Sequence, residues 1–364
     1  MYEFIGIKRF RQFQAFELPG LTRVNLLVGR NNAGKTSLLE AIEILALGGR
    51  TSSLLRSLRR RGEVSSATSE EGLTRMEPDV RHLFPGHRLE AGLSFEFEAR
   101  SDTVTNHVWC EVKRDESQLE LSPDAMDLEP RLALKLRGPE APEGIELRVS
   151  TGGTLLGDPP RRVQVLSPQR TTPQGGPPVV FLGTEGASGG SLQQIWDSLV
   201  LTSEEEKVTS AMKIIEPSIE RLAFTSREPR ASSAAFVKLA GEDHRVPLGS
   251  LGDGTRRLLG LAIFLARATG GVLLIDEIDT GLHYTTLESM WRFVIETARR
   301  LDVQVFATTH SGDCVRALAW LQSDDPALAA EVSVHRVDRG GDASVPYSAA
   351  EIETAARHHI EVRG

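Results

Sequence analysis

The stretch Gly29-Arg30-Asn31-Asn32-Ala33-Gly34-Lys35-Thr36-Ser37 sets one glycine ahead of a Gly-Lys-Thr triplet at the spacing of a phosphate-binding loop. Such a loop aims successive backbone N–H groups and the start of a helix at an anion, supplying donors and partial positive charge without a bulky side chain in the way. In this spacing Lys35 reaches the β- and γ-phosphates, and the Thr36 hydroxyl ligates Mg²⁺. A second group follows much later, where the apolar run "VLLI" leads straight into Asp276-Glu277. A strand ending in two acids places one beside the metal and the other where it can polarise an attacking water. Asp276 is therefore expected to serve Mg²⁺, directly or through water, and Glu277 to act as the base. The third group is "VQVFATTHSGD", which delivers Thr308, Thr309, His310 and Ser311 at a strand end one helix beyond the acids. His310 is then placed to contact the γ-phosphate.

The elements needed to hold these groups can be read from the pattern of apolar residues. "VNLLVG" reads as a buried strand, and Lys35 to Leu47 has the apolar spacing of a helix packed on a sheet, so strand, glycine loop and helix arrive in the required order. Tyr2 to Leu18 alternates apolar and polar residues, predicting one or two strands with a turn at Pro19-Gly20. Gly48 to Met76, rich in Ser, Arg and Glu, reads as a mobile or inserted segment. Its arginine run "RSLRRRGE" could touch a phosphate backbone or form a solvated helix face flanked by Glu. Short alternating runs between Leu93 and Ser167, including "LSFEFEA", "VWCEVKR", "QLELS", "LALKL", "IELRVS" and "VQVLS", predict an antiparallel sheet. From Ser191 the period becomes helical, with Ser203 expected to cap a helix whose first turn holds Glu204 to Glu206. The strand "AAFVKLAG", the helix "TRRLLGLAIFLARA", and the strand–helix–strand run from "GVLLIDE" to "VQVFATTH" indicate a mostly parallel sheet.

The 364 residues therefore read as one α/β domain with insertions. Residues 1–50 and 230–364 form its core, 51–180 a mobile segment and antiparallel β region, and 190–225 a helical subdomain. With 42 Lys and Arg against 50 Asp and Glu, the chain carries a net charge of −8, so no global positive field attracts nucleic acid. The two cysteines, Cys110 and Cys314, lack metal-ligand spacing and are too few for a disulfide framework, which predicts buried free thiols. No stretch approaches the roughly 18 apolar residues of a membrane span, and "MYEFIGIKRFRQF" has no apolar signal core. The chain is expected to be cytoplasmic.

Together with "LGSLGDGTRRLLGLA" ahead of Asp276, the three groups resemble the ABC-type ATPases. The branch is the one containing SMC, RecF and OLD-type proteins, and the likeness is strongest to the standalone AAA15-type ATPases. In that resemblance "RFRQF" matches the opening strand and "GRNNAGKTS" the Walker A loop. "IDEIDTGLHY" matches Walker B with the D-loop, "TTHS" the switch histidine, and "IEVR" the end of the chain. The signature loop departs from the family pattern: Gly252 stands where LSGGQ has its serine, and Ser250 lies two residues earlier. The trans-acting contact accordingly falls on Ser250 or on the Gly252, Asp253 and Gly254 region, and the Q-loop glutamine is Gln164, Gln169 or Gln174. The resemblance implies an ATP- and Mg²⁺-dependent ATPase in which two copies of a homodimer or higher homo-oligomer close head to tail, each completing the other's site. It implies roles in DNA repair or anti-phage defence, a separate effector such as a nuclease, possible DNA contact and no membrane. An alternative is the soluble ATPase subunit of a membrane transporter. The residues after His310 are too few for an appended TOPRIM nuclease, and no guanine-reading Asn-Lys-x-Asp motif is present.

Overall fold

The computed structural model describes residues 1–68, 74–115, 132–150, 152–155, 176–184, 189–225, 234–358, 360 and 362. The chain opens with strands β1 (Phe4–Phe10), β2 (Phe13–Pro19) and β3 (Val24–Val28), then helices α1 (Lys35–Ala46) and α2 (Thr51–Arg60). Strands β4 (Val64–Thr68), β5 (Thr74–Pro78), β6 (Ser94–Arg100), β7 (Thr105–Arg114), β8 (Leu132–Gly138), β9 (Ala141–Val149) and β10 (Val179–Leu182) follow. Next come α3 (Gly189–Asp197), α4 (Ser203–Ile215), β11 (Ile219–Thr225), β12 (Ala234–Leu239), β13 (Arg245–Pro247) and α5 (Asp253–Arg267). The last part holds β14 (Val272–Ile275), α6 (Leu287–Leu301), β15 (Gln304–Thr309), α7 (Gly312–Asp324), α8 (Pro326–Ala329), β16 (Val332–Arg336), β17 (Val345–Tyr347) and α9 (Ala349–Arg357).

Two large sheets sandwich α1. One is antiparallel, in the order β2-β1-β6-β7-β8-β9. The other runs β10-β14-β15-β3-β16-β17 and is parallel except at β17. Fully buried strands of a parallel sheet read as continuous apolar runs. Accordingly β3, β14 and β15 are buried at every position. One core lies between the sheets, with Phe10, Phe95 and Phe97 meeting edge-on and stacked against Leu38, Ile42 and Leu45 of α1. The other lies on the far face of the parallel sheet, where α5, α6 and α7 pack. Among the described residues no helix is long and apolar enough to cross a membrane.

Because α1 is covered on both sides, ten of its residues are buried, including Glu40 and Glu43. A buried carboxylate needs a cation. Glu40 receives Arg61 Nε at 2.8 Å, and Arg11 Nε lies 2.9 Å away off the N–H axis, an ion pair rather than a hydrogen bond. Glu43 receives Arg60 at 2.7 Å and has Arg56 at 3.6 Å, while the Arg60 guanidinium also lies over the Phe181 ring. The arginine-rich stretch expected to be mobile is therefore, over Thr51–Arg60, a helix with Leu54, Leu55 and Leu58 buried. Its cations answer the acids of α1 instead of facing solvent. A smaller correction concerns α4, whose cap is Thr202 and not Ser203: the Thr202 hydroxyl accepts from Glu204 N at 3.2 Å. The runs "QLELS" and "VQVLS" lie outside the described residues. Cys110 and Cys314 are buried free thiols, pushed up in pKa by that burial.

Candidate active site

The carboxyl ends of parallel strands are where ligands settle in open α/β sheets. Here β3 lies between β15 and β16, so the loop from Gly29 to Gly34 emerges among three such ends. Two close approaches explain its glycines. A Cβ on Gly29 would stand 2.5 Å from the Val337 carbonyl, and one on Gly34, at φ 106°, would collide with the Gln12 amide and come within 2.6 Å of the Phe13 ring. Lys35 is nearly buried, and its Nζ donates to the carbonyls of Gly29 at 2.7 Å and Arg30 at 3.0 Å. The ammonium thus lies across the loop that would wrap a phosphate.

Across the cleft, five side chains are linked. Thr36 Oγ1 donates to Asp276 Oδ2 at 2.9 Å, and Thr308 Oγ1 donates to Asp276 Oδ1 at 2.6 Å. The same Thr308 oxygen accepts from the Glu277 backbone N–H at 2.9 Å. Glu277 Oε1 lies 3.1 Å from His310 Nδ1, and its Oε2 accepts from Thr280 at 3.3 Å. Glu277 has φ 53°, a left-handed backbone that costs free energy for a side chain of this size. It is held from both ends, since Arg257 of α5 donates to its carbonyl at 3.3 Å. A hydroxyl and a carboxylate this close are hard oxygen donors, the set Mg²⁺ takes when phosphate oxygens and water fill its other positions. Thr36 and Asp276 therefore fit the metal.

The cleft has a volume of 690 Å³ and is lined by Asn31, Asn32, Ala33, Gly34, Lys35, Thr36 and Ser37 of the loop, by Asp276 and Glu277, and by Gln12, Arg61 and Arg339. Gly29 and Arg30 contribute the carbonyls that hold Lys35, and His310 joins through Glu277. Ser250, Gly252 and Gly254 do not line it. Leu248–Leu251 is a short 3-10 turn, α5 begins at Asp253, Ser250 and Gly252 are exposed, and a Cβ on Gly254 would meet Leu282 and Thr286 of the following loop. Gln164, Gln169 and Gln174 lie outside the described residues.

Sequence reasoning assigned no role here to Gln12, Arg61 or Arg339, nor to Thr308. Arg61 follows α2 and reaches back to the loop, donating to Ser37 Oγ at 3.0 Å as well as to Glu40. Burial pulls its pKa down, but Glu40, Glu63 and Asp276 outweigh that and hold it above the ordinary arginine value. A locked cation thus faces the space beside the phosphate loop. The available signal was indirect: Glu40 and Glu43 in an otherwise apolar helix require arginines from somewhere.

A family model described as "AAA ATPase domain" matches residues 1–73, and one described as "AAA domain, putative AbiEii toxin, Type IV TA system" matches residues 200–313. The first covers the phosphate loop, and the second covers Asp276, Glu277 and His310. A Helicobacter pylori protein named ATP/GTP phosphatase is 19% identical over 343 residues, 87% of each chain. The DNA replication and repair protein RecF of Stenotrophomonas maltophilia is 36% identical over 94 residues, 24% of this chain and 23% of that one. These matches fit an ABC-type ATPase of the SMC and RecF kind. Among solved structures, an SMC head domain from Thermotoga maritima is similar at 16% identity and a TM-score of 0.47, covering 95% of this chain and 99% of that one. Within this chain the acids and histidine share one end of the parallel sheet, while Ser250 and Gly252 of the signature-like turn are exposed and do not line the cleft.

Proposed function

We propose that the chain binds ATP with Mg²⁺ and hydrolyses it, with Glu277 as general base and His310 as its partner at the γ-phosphate. The observation that carries this reading is the linked set Thr36–Asp276–Thr308–Glu277–His310 directly across from Lys35. Loop N–H groups and Lys35 hold the polyphosphate, and Arg61 adds fixed positive charge where negative charge develops. Bound Mg²⁺, held by Thr36 and Asp276, would neutralise phosphate charge. Glu277, anchored at both backbone ends, accepts a proton from the attacking water, and His310 orients its carboxylate.

The exposed turn at Ser250 and Gly252 completes the nucleotide site of a second copy, so ATP joins two chains head to tail and hydrolysis releases them. The dimer acts in DNA repair or anti-phage defence and governs a separate effector such as a nuclease. The names of the RecF relative and of the toxin-related family model support that setting. Contact with DNA, at a net charge of −8, would be confined to a local patch.

Glu277→Gln tests the reading. Phosphate release should fall about 100- to 10,000-fold while ATP binding persists. Sedimentation should find this variant as a dimer with ATP and a monomer without it. Equal turnover in wild type and variant would sink the base assignment, and a size indifferent to ATP would sink the head-to-tail dimer.

A further inference from the structure

Phosphates occupy only part of a cleft of 690 Å³, a volume within the range of about 300–1,000 Å³ typical of sites that enclose a whole small molecule. On the side away from Asp276, its wall comes from two turns that meet. The 342–344 segment pairs with β2 in the parallel sense: Glu17 opposes Ala343, Glu17 N donates to Asp342 O at 2.9 Å, and Ser344 N donates to Glu17 O at 2.8 Å. Arg339, just before this segment, and Gln12, in the turn between β1 and β2, both line the cleft. The turn bearing Arg339 is also tied to the phosphate loop, since Val337 N donates to Val28 O at 2.8 Å. Its backbone is fixed on both flanks while its side chain is exposed.

Other cations near the loop are committed. Lys35 binds loop carbonyls, Arg61 binds Glu40 and Ser37, and Arg336 binds Asp338 and Tyr347. Among the described residues no hydrogen bond or ion pair engages Arg339, and no aromatic ring lines the cleft. A guanidinium is a flat plate that stacks on π systems, whereas an ammonium is not. Gln12 adds an amide carrying both donor and acceptor, on a terminal torsion with broad freedom.

We propose that Arg339 and Gln12 form the nucleoside wall of the site, Arg339 stacking on the purine and Gln12 pairing with its edge. An arginine plate does not distinguish adenine from guanine, and the Gln12 amide can turn to suit either. The site therefore takes ATP and GTP with similar affinity. This rests on the nucleotide reading above and adds which residues hold the base.

The test is equilibrium binding with Mg²⁺ of ATP, GTP and inorganic tripolyphosphate, which lacks the nucleoside. Wild type should bind ATP and GTP within about threefold of each other, a difference below 1 kcal/mol in binding free energy. Arg339→Ala and Arg339→Lys should each weaken both nucleotides about 5- to 30-fold and leave tripolyphosphate unchanged. Gln12→Ala should weaken the nucleotides further without affecting tripolyphosphate. If Arg339→Lys restores ATP binding, or if tripolyphosphate weakens alongside ATP, Arg339 is a phosphate counter-charge and the stacking proposal fails. A strong wild-type preference for one purine would overturn the shared-specificity claim. Lys35→Ala separates the two readings: it should weaken all three ligands, and if it weakens none the phosphate-site reading itself fails.

Discussion

The two flanks of β3 are built on opposite electrostatic plans. Toward β15 and β14, charged and hydroxyl side chains interlock across separate elements, so that Asp276 answers Thr36 and Thr308 at once and Glu277 answers His310. Toward β16, the buried hydrogen bonds are neutral. Asn25 accepts from Ser333, His335 Nε2 lies 2.9 Å from the Ser333 hydroxyl, and its Nδ1 lies 3.2 Å from Ser344. Burial pushes the His335 imidazole down to about 4, so it stays uncharged at neutral pH. The groups proposed above to bear charge and move protons are constrained together on one flank. The other supplies a neutral frame with the exposed Arg339 at its rim.

This contrast can be broken at several points. Beneath both flanks, Glu40 belongs to the committed kind, fully buried with Arg11 and Arg61 on its two oxygens. Glu40→Ala leaves Arg11 buried without its partner on α1, and denaturant unfolding should report a loss of about 3–5 kcal/mol. A change under about 1 kcal/mol would mean the pairing is incidental.

On the β15 flank, Thr308→Val keeps the shape of the side chain but removes the hydrogen bond to Asp276 and the acceptor for Glu277 N. Turnover should fall about 10- to 100-fold, equivalent to roughly 1.4–2.8 kcal/mol, with ATP affinity nearly unchanged. Wild-type rates would refute the interlocked arrangement.

The β16 flank gives the smallest effect. Between its ordinary value of 6.5 and its buried value of about 4, His335 takes up a proton in the unfolded chain but not in the folded one. Its contribution to stability is therefore complete above about pH 6.5 and is lost as pH falls toward 4. Near pH 5.5 the slope should be roughly 1 kcal/mol per pH unit, and His335→Gln should remove that component. An unchanged slope would place a charge on this flank and erase the contrast.

The parts readable from sequence are those whose chemistry is contiguous. The phosphate loop, the acids after "VLLI" and the histidine after "VQVFATT" each bring a strand and its functional residues in one short run, which local periodicity and spacing can reveal. The parallel core was legible for the same reason: strands buried on both faces leave unbroken apolar runs. Helix α2 was misread because Ser and Arg suggest exposure, whereas its cations are matched to Glu40 and Glu43 on another helix. Gln12 and Arg339 line the same cleft, and β2 pairs with a segment near the far end of the chain, a relation with no local trace. The signature-like turn was recognised by resemblance alone, and within one chain it stands apart from the cleft.

The position of β3 has a consequence in time. Its two neighbours are β15 and β16, so the strand feeding the phosphate loop acquires both its flanks only after Arg336 has been made. With synthesis at about 5–20 residues per second, this is roughly 15–60 s after the loop itself leaves the ribosome. During that interval the nascent chain carries the motif but no pocket. Fragments that stop short of β15 hold the glycine loop without either strand that flanks β3 in the finished molecule.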